Sequence, residues 1–286
     1  MAENKSLVNL GDWATPVNTL IEKISNAVGI LYEPKRIIKQ AKANATAEKI
    51  KAINNLEIED LQKRALTRFI NEETIKQQNI ESIIGKSIPE ISDNANPNGI
   101  DNDWLLNYFD NAKFISNELI QNLWAKLLAG EANKPGSISK KTLKVLSDLD
   151  TEDAISFNKL CSFVFYVNNV PQVFIFNSED EFYNNYISFD VLNNLNTLGL
   201  ISMNSFLGYM MGDLPKHYSM IYGDNKIQIT GKNETDNKLA CGKCILTKAG
   251  TELVQFCSPI YEKTIFEITY QNLVNDSKLE KVELIS

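Results

Sequence analysis

Residues 104–130, WLLNYFDNAKFISNELIQNLWAKLLAG, carry Leu105, Leu106, Tyr108, Phe109, Phe114, Ile115, Leu119, Ile120, Leu123, Trp124, Leu127 and Leu128. Apolar residues recurring at three- and four-residue intervals line one face of a helix, so this is the content of one or two core helices, ending at Gly130. Pro135, Gly136 and Ser137 then make a turn, after which Ser139 and Asp150 are placed to cap two further helices. The second of these carries Ile155, Phe157, Leu160, Phe163, Val164 and Phe165 as its apolar positions. A helical domain over 104–149 is the centre of the reading.

Upstream, the chain from Pro34 to Ile84 has no further Pro or Gly and is rich in Ala, Lys, Glu and Gln, which predicts one long helix or two with a slight break. At 1.5 Å per residue it spans roughly 75 Å, more than a compact domain needs, so another long helix or a second subunit is the expected cover and a homo-oligomer the expected state. Ile50, Ile53 and Leu61 fall within one arc and are the interface candidates. Before Pro34, the residues Leu10, Trp13, Val17, Leu20, Ile21, Ile24 and Val28 form an amphipathic stripe, followed by the basic block Lys35, Arg36, Lys39 and Lys42. Such a stripe is covered either by the rest of the protein or by an anionic membrane, whose headgroups attract the basic block. Residues 89–103, with Pro97, Gly99 and several Asn and Asp, read as a linker.

The remaining residues, 150–286, mix periodicities. Val170–Phe176 reads as a strand, Phe189–Leu198 as a short helix closed by Gly199, and Met220–Thr230 with Leu239–Leu246 as a long hairpin. Leu246 to Leu253 then joins a strand to a helix, with Thr247 as N-cap and Gly250 allowing close packing. The expected fold is mainly α with a smaller α+β part: long N-terminal helices (1–33 and 34–88), a central helical domain and a winged-helix-like C-terminal module. Nucleic-acid reading is the weaker use of such a module here, because the helix at 189–198 offers Asn193, Asn194 and Asn196 but no basic residue to base edges.

Composition limits function further. The chain has 286 residues, a length suited to two units, and a formal charge of -7, which disfavours nonspecific capture by a phosphate backbone. No apolar run long enough for a membrane span and no basic signal-peptide head stand at the N-terminus, so a cytoplasmic protein is expected. Cys241-Gly242-Lys243-Cys244 has the spacing of half a zinc site, which Cys257 and the sole histidine, His217, complete only if the fold gathers them. The main reading of these cysteines is as small residues of a hairpin, ahead of a zinc site or a redox pair. Asp101, Asp103, Asp110, Glu118 and Glu131 are close in sequence, without spacing that selects a metal. GxxxxGK[ST], HExxH and GxSxG patterns are absent, so no catalytic residue and no cofactor is assigned.

Four short pieces carry a resemblance: Gly29-Ile30-Leu31-Tyr32-Glu33-Pro34, Leu123 to Glu131, Pro135-Gly136-Ser137-Ile138-Ser139 and Leu246 to Leu253. In these the chain resembles the bacterial domain of unknown function 2806 family. Leu123 to Leu149 is also similar, locally, to the abortive infection alpha family, in which an LWAKLLA-like helix is followed by a short loop and another helix. That second likeness implies a role in defence against phage. The expected function is an effector that stays soluble until a phage component drives its assembly and its N-terminal helix engages the inner membrane. A winged-helix nucleic-acid-binding regulator and a metal-dependent toxic nuclease are the alternatives.

Overall fold

In a computed structural model the described residues are 15–30, 32, 59–177, 181–204 and 206–285. The chain divides into two compact units, Met1–Leu143 and Lys144–Ser286.

The first unit is helical: α1 (Thr15–Val28), α2 (Asp60–Ser87), α3 (Asn102–Ala112), α4 (Glu118–Asn133) and the start of α5 (Lys140–Ser147), which crosses into the second unit. Caps set the helix starts, with the Asp101 carboxylate accepting from Trp104 N and the Asn117 side chain accepting from Leu119 N and Ile120 N. The core gathers around Tyr108, which stacks on Trp104 at 5.1 Å, meets Trp124 edge-on at 5.0 Å and donates its hydroxyl to Trp124 O. Only the last turns of α2 are buried, through Asn79, Ile80, Ile83, Ile84 and Ser87, and they pack on α4. Residues 89–103, expected as a linker, are built into this unit. Pro97 and Ile100 are buried, and Ser92 N and Asn96 N donate to Asn133 Oδ1 and Ala132 O.

The second unit holds the helices α6 (Thr151–Leu160), α7 (Glu181–Tyr186), α8 (Phe189–Thr197), α9 (Lys248–Val254) and α10 (Lys263–Val274). Its strands are β1 (Val164–Val167), β2 (Val170–Val173), β3 (Ile201–Met203), β4 (Tyr209–Leu214), β5 (His217–Tyr222), β6 (Asn225–Gly231), β7 (Asn237–Gly242), β8 (Cys244–Leu246) and β9 (Leu279–Ile285). Five form one antiparallel sheet in the order β2-β1-β5-β6-β9, while β3 pairs with β8 and β4 with β7.

This sheet corrects the expected fold class. A wing is a hairpin with open outer edges. Here β1 takes the outer edge of β5 and β9 that of β6, so Met220–Thr230, expected as one strand of a wing, is instead the end of β5, a turn and most of β6 in the middle of a sheet. The expected partner of Met220–Thr230 also differs, since residues 237–242 pair with β4 instead. Two of the three candidate base-reading asparagines are used in the fold: Asn194 donates to Asp153 Oδ1 and Asn196 accepts from Met203 N. The chain is an α+β protein with a substantial antiparallel sheet, not a mainly α chain ending in a winged helix.

Candidate functional site

The 123–139 segment, the strongest sequence signature, is a packing device. Glu131, only 1% exposed, turns back from the last turn of α4 and accepts from Gly136 N at 2.6 Å, Ile138 N at 2.9 Å and Ser137 Oγ at 3.4 Å. The same loop is held from the other side by Trp104 Nε1, which donates to Ile138 O at 2.8 Å. Burial pushes the Glu131 carboxyl up, and the loop N–H groups pull against that shift by stabilising the charged form. Gly136 has φ +81°, so glycine suits this turn, and the carboxylate pairs the buried Ile138 amide, which the fold otherwise leaves unsatisfied, together with the part-buried Gly136 amide.

The other acids of that run have separate structural employments. Asp101 caps α3 and, with Asp103, lies within 3.7 Å of Lys140 Nζ, Asp110 pairs with Lys113, and Glu118 lies 3.7 Å from Lys86 Nζ. Among the described residues no group of three or more His, Cys, Asp or Glu is arranged to hold a metal. The zinc set expected from the cysteine spacing is not gathered either. His217 is exposed on β5 beside Thr230, and Cys257 lies against Cys161. Burial pushes the thiols of Cys241 and Cys244 up to about 11 and about 12, against the thiolate form that zinc requires. Gly242 between them has φ +100°, and a Cβ there would lie 2.1 Å from Ile175 O. The Cys-Gly-Lys-Cys run is the corner where β7 turns into β8.

The membrane-contact candidates divide in two. Trp13, Lys35, Arg36, Lys39 and Lys42 lie outside the described residues, as do the interface candidates Ile50 and Ile53. Val17, Leu20, Ile21 and Ile24 are buried, Val28 half-buried, with α1 packed on α3 and on the Pro97–Gly99 turn. Four such side chains represent roughly 6–12 kcal/mol of apolar burial, as an upper bound. Undocking α1 exposes both the stripe and the surface beneath it, and lipid recovers only the stripe. The remaining interface candidate, Leu61, is exposed on α2.

A different element presents apolar side chains outward. In the loop from β3 to β4, Phe206 is 94% exposed and Leu207 89% exposed. Their backbone is fastened: Asn204 N donates to Lys243 O, Asn204 Oδ1 accepts from Leu207 N at 3.0 Å, and Gly208 N donates to Asn204 O. Gly208 has φ +69°, and a Cβ there would sit 2.7 Å from Gly242 O, so the loop lies tightly on the β7–β8 corner. Lys243 Nζ donates to Phe206 O at 3.2 Å, and Lys278 Nζ lies 3.8 Å from Met210 Sδ on the strand leaving the loop. Sequence reasoning passed over this site, because Ser205-Phe206-Leu207 between Asn204 and Gly208 looks like any apolar pair until its exposure is known. The turn residues bracketing two large side chains were the available signal.

A helical unit knotted through Glu131 and a mixed unit carrying an outward apolar loop define a two-unit α+β protein. The chain belongs to the family described as protein of unknown function (DUF2806), whose model matches residues 63–268. No curated protein and no solved structure matches it.

Proposed function

We propose that this protein is an anti-phage abortive-infection effector that assembles on sensing a phage component and engages the inner membrane from the cytoplasmic side. The observation that carries the membrane step is the Phe206–Leu207 loop: two large side chains displayed in water on a fastened backbone, with Lys243 and Lys278 beside it. Aromatic and aliphatic side chains of this kind enter the headgroup boundary while neighbouring lysines meet anionic lipid. The contact proposed is peripheral, and among the described residues no helix is long and apolar enough to cross a membrane. The setting in phage defence rests on the local likeness of Leu123–Leu149 to the abortive infection alpha family. The order of α4, a short loop and α5 agrees with that likeness.

Two Lys near the surface contribute about 1 kcal/mol each, and burial of Phe and Leu about 1.5–3 kcal/mol each. One copy therefore binds weakly and reversibly, and several copies side by side bind firmly. This is how an effector stays off the membrane until assembly. Co-sedimentation of the full chain with phosphatidylglycerol and with phosphatidylcholine vesicles over a salt series tests it. Binding to the anionic vesicles that weakens with salt, and that the Phe206→Ser, Leu207→Ser double variant loses, is expected. Equal binding by that variant removes the loop from the mechanism. Protection of cells against phage, measured with the same variant, separates the two halves of the proposal: full protection without vesicle binding leaves defence but not membrane contact.

A further inference from the structure

Two segments nearly one hundred residues apart meet in the second unit, on elements that neither the membrane loop nor the helical knot uses. α6 ends at Leu160, and Cys161 opens the short 3-10 turn Cys161–Phe163. Opposite, Cys257 follows the end of α9, where its N–H donates to Val254 O at 3.1 Å and its Sγ lies 3.8 Å from Leu253 O. Asn158 clamps the two segments with both ends of its amide, accepting from Ser258 N at 2.9 Å and donating to Ser258 O at 3.4 Å. Tyr222 adds a second clamp, its hydroxyl donating to Ser162 O and accepting from Glu262 N, each at 2.9 Å.

Held between these clamps, the Cys161 and Cys257 side chains are brought against each other. Cys161 is fully buried and Cys257 partly exposed. The segments carrying them are a turn and the coil after a helix, so the closure that joins the two sulfurs does not break a helix or strand interior. Cys241 and Cys244, which share the chain's CxxC spacing, are both buried and fixed by the β7–β8 corner.

We propose that Cys161 and Cys257 form a redox site that closes to an intrachain disulfide in the presence of a peroxide. The partly exposed Cys257 sulfur attacks one peroxide oxygen as its thiol proton is lost, the O–O bond breaks, and the departing hydroxide takes up that proton, so with hydrogen peroxide the products are Cys257 sulfenic acid and one water. Cys161 sulfur then attacks the Cys257 sulfur, the S–O bond breaks, and the hydroxyl leaves with the Cys161 proton as a second water. The peroxide gains the two electrons that the two sulfurs lose. The hydrogen bond to Cys257, and burial after it, hold the Cys161 thiol well above its ordinary value, which keeps it protonated and out of reach of the oxidant until its partner is activated. Closure ties the end of α6 to the segment leading into α10.

The test uses the full chain exposed to equimolar hydrogen peroxide, then denatured and alkylated. Two of its four thiols are expected to resist alkylation, with a mass loss of about 2 Da and a peptide cross-link between Cys161 and Cys257, all reversed by dithiothreitol. Cys257→Ser abolishes the cross-link, whereas the Cys241→Ala, Cys244→Ala double variant retains it. Four alkylated thiols, a cross-link through Cys241 or Cys244, or sulfinic acid on Cys257 with Cys161 still free each overturn the proposal. The mapping is read on the unaltered chain, so it does not depend on any variant folding.

Discussion

Glu131 shows how one buried carboxylate organises a loop. It accepts from two backbone N–H groups and one hydroxyl of residues 136–138, and replacing it with Ala leaves the buried Ile138 amide and the part-buried Gly136 amide without their partner. An unsatisfied buried donor costs about 1–3 kcal/mol and a part-buried one less, so Glu131→Ala is expected to destabilise the chain by about 2–4 kcal/mol, read as a lower urea midpoint with an unchanged slope. A loss under roughly half a kcal/mol, as for a neutral surface change, contradicts the role given to it. The pH dependence has a definite sign. Its folded-state carboxyl is raised above the ordinary value of 4.5, so between that value and the raised one the folded chain holds a proton that the unfolded chain has released. Stability therefore falls as pH rises through this window, and the contribution is complete below it. Glu131→Gln removes that slope; an unaltered slope in thermal melts assigns it to another group.

At the level of the element, two glycines decide where strands and helices touch. A Cβ on Gly250 in α9 would lie 2.1 Å from Leu200 O, and one on Gly242 the same 2.1 Å from Ile175 O, with Gly242 also at φ +100°. Gly242→Ala meets both a backbone clash and a strained conformation, and so is expected to cost about 3 kcal/mol or more, while Gly250→Ala meets the clash alone. The two variants compared by denaturant titration should rank in that order, and the reverse order means that backbone strain at Gly242 does not decide the cost. The caps at Ser139, Asp150 and Thr247 were legible in the sequence, because each is decided within four residues. Strand pairing was not. β6 is chosen by β5, its hairpin neighbour, and by β9 some fifty residues later, a choice made by buried faces rather than by adjacency. One local signal was available and unused: Asn168 and Asn169, both at positive φ, make the tight turn between β1 and β2, and an Asn-Asn pair between apolar runs indicates such a hairpin. The amphipathic stripe of α1 was read correctly as a face needing cover, yet periodicity does not distinguish protein from lipid as the cover.

At the scale of the whole molecule, the expectation of a homo-oligomer turns on the first part of α2. Asp60–Gln78 buries no side chain fully, while Leu61, Phe69 and Ile75 are 66%, 58% and 56% exposed. At about 100° per residue these three fall within an arc of roughly 120°, a face that a second copy can cover with its own. The salt bridges on the same helix, Arg64 with Asp60 and Arg68 with Glu72, are exposed and contribute little. Six apolar side chains, three from each copy, supply on the order of 10 kcal/mol on burial. Association itself costs about 4–15 kcal/mol, so the two nearly cancel. The balance predicts a weak, concentration-dependent dimer rather than a permanent one, and such a dimer is tightened when copies are gathered on a surface. Sedimentation velocity of the full chain over a wide concentration range should show a shift from monomer to dimer. Leu61→Asp, Phe69→Asp and Ile75→Asp together should abolish it and, by removing multivalency, weaken vesicle binding without touching Phe206 or Leu207. A chain that stays monomeric at the highest concentration, or a triple variant that still dimerises, takes α2 out of the assembly.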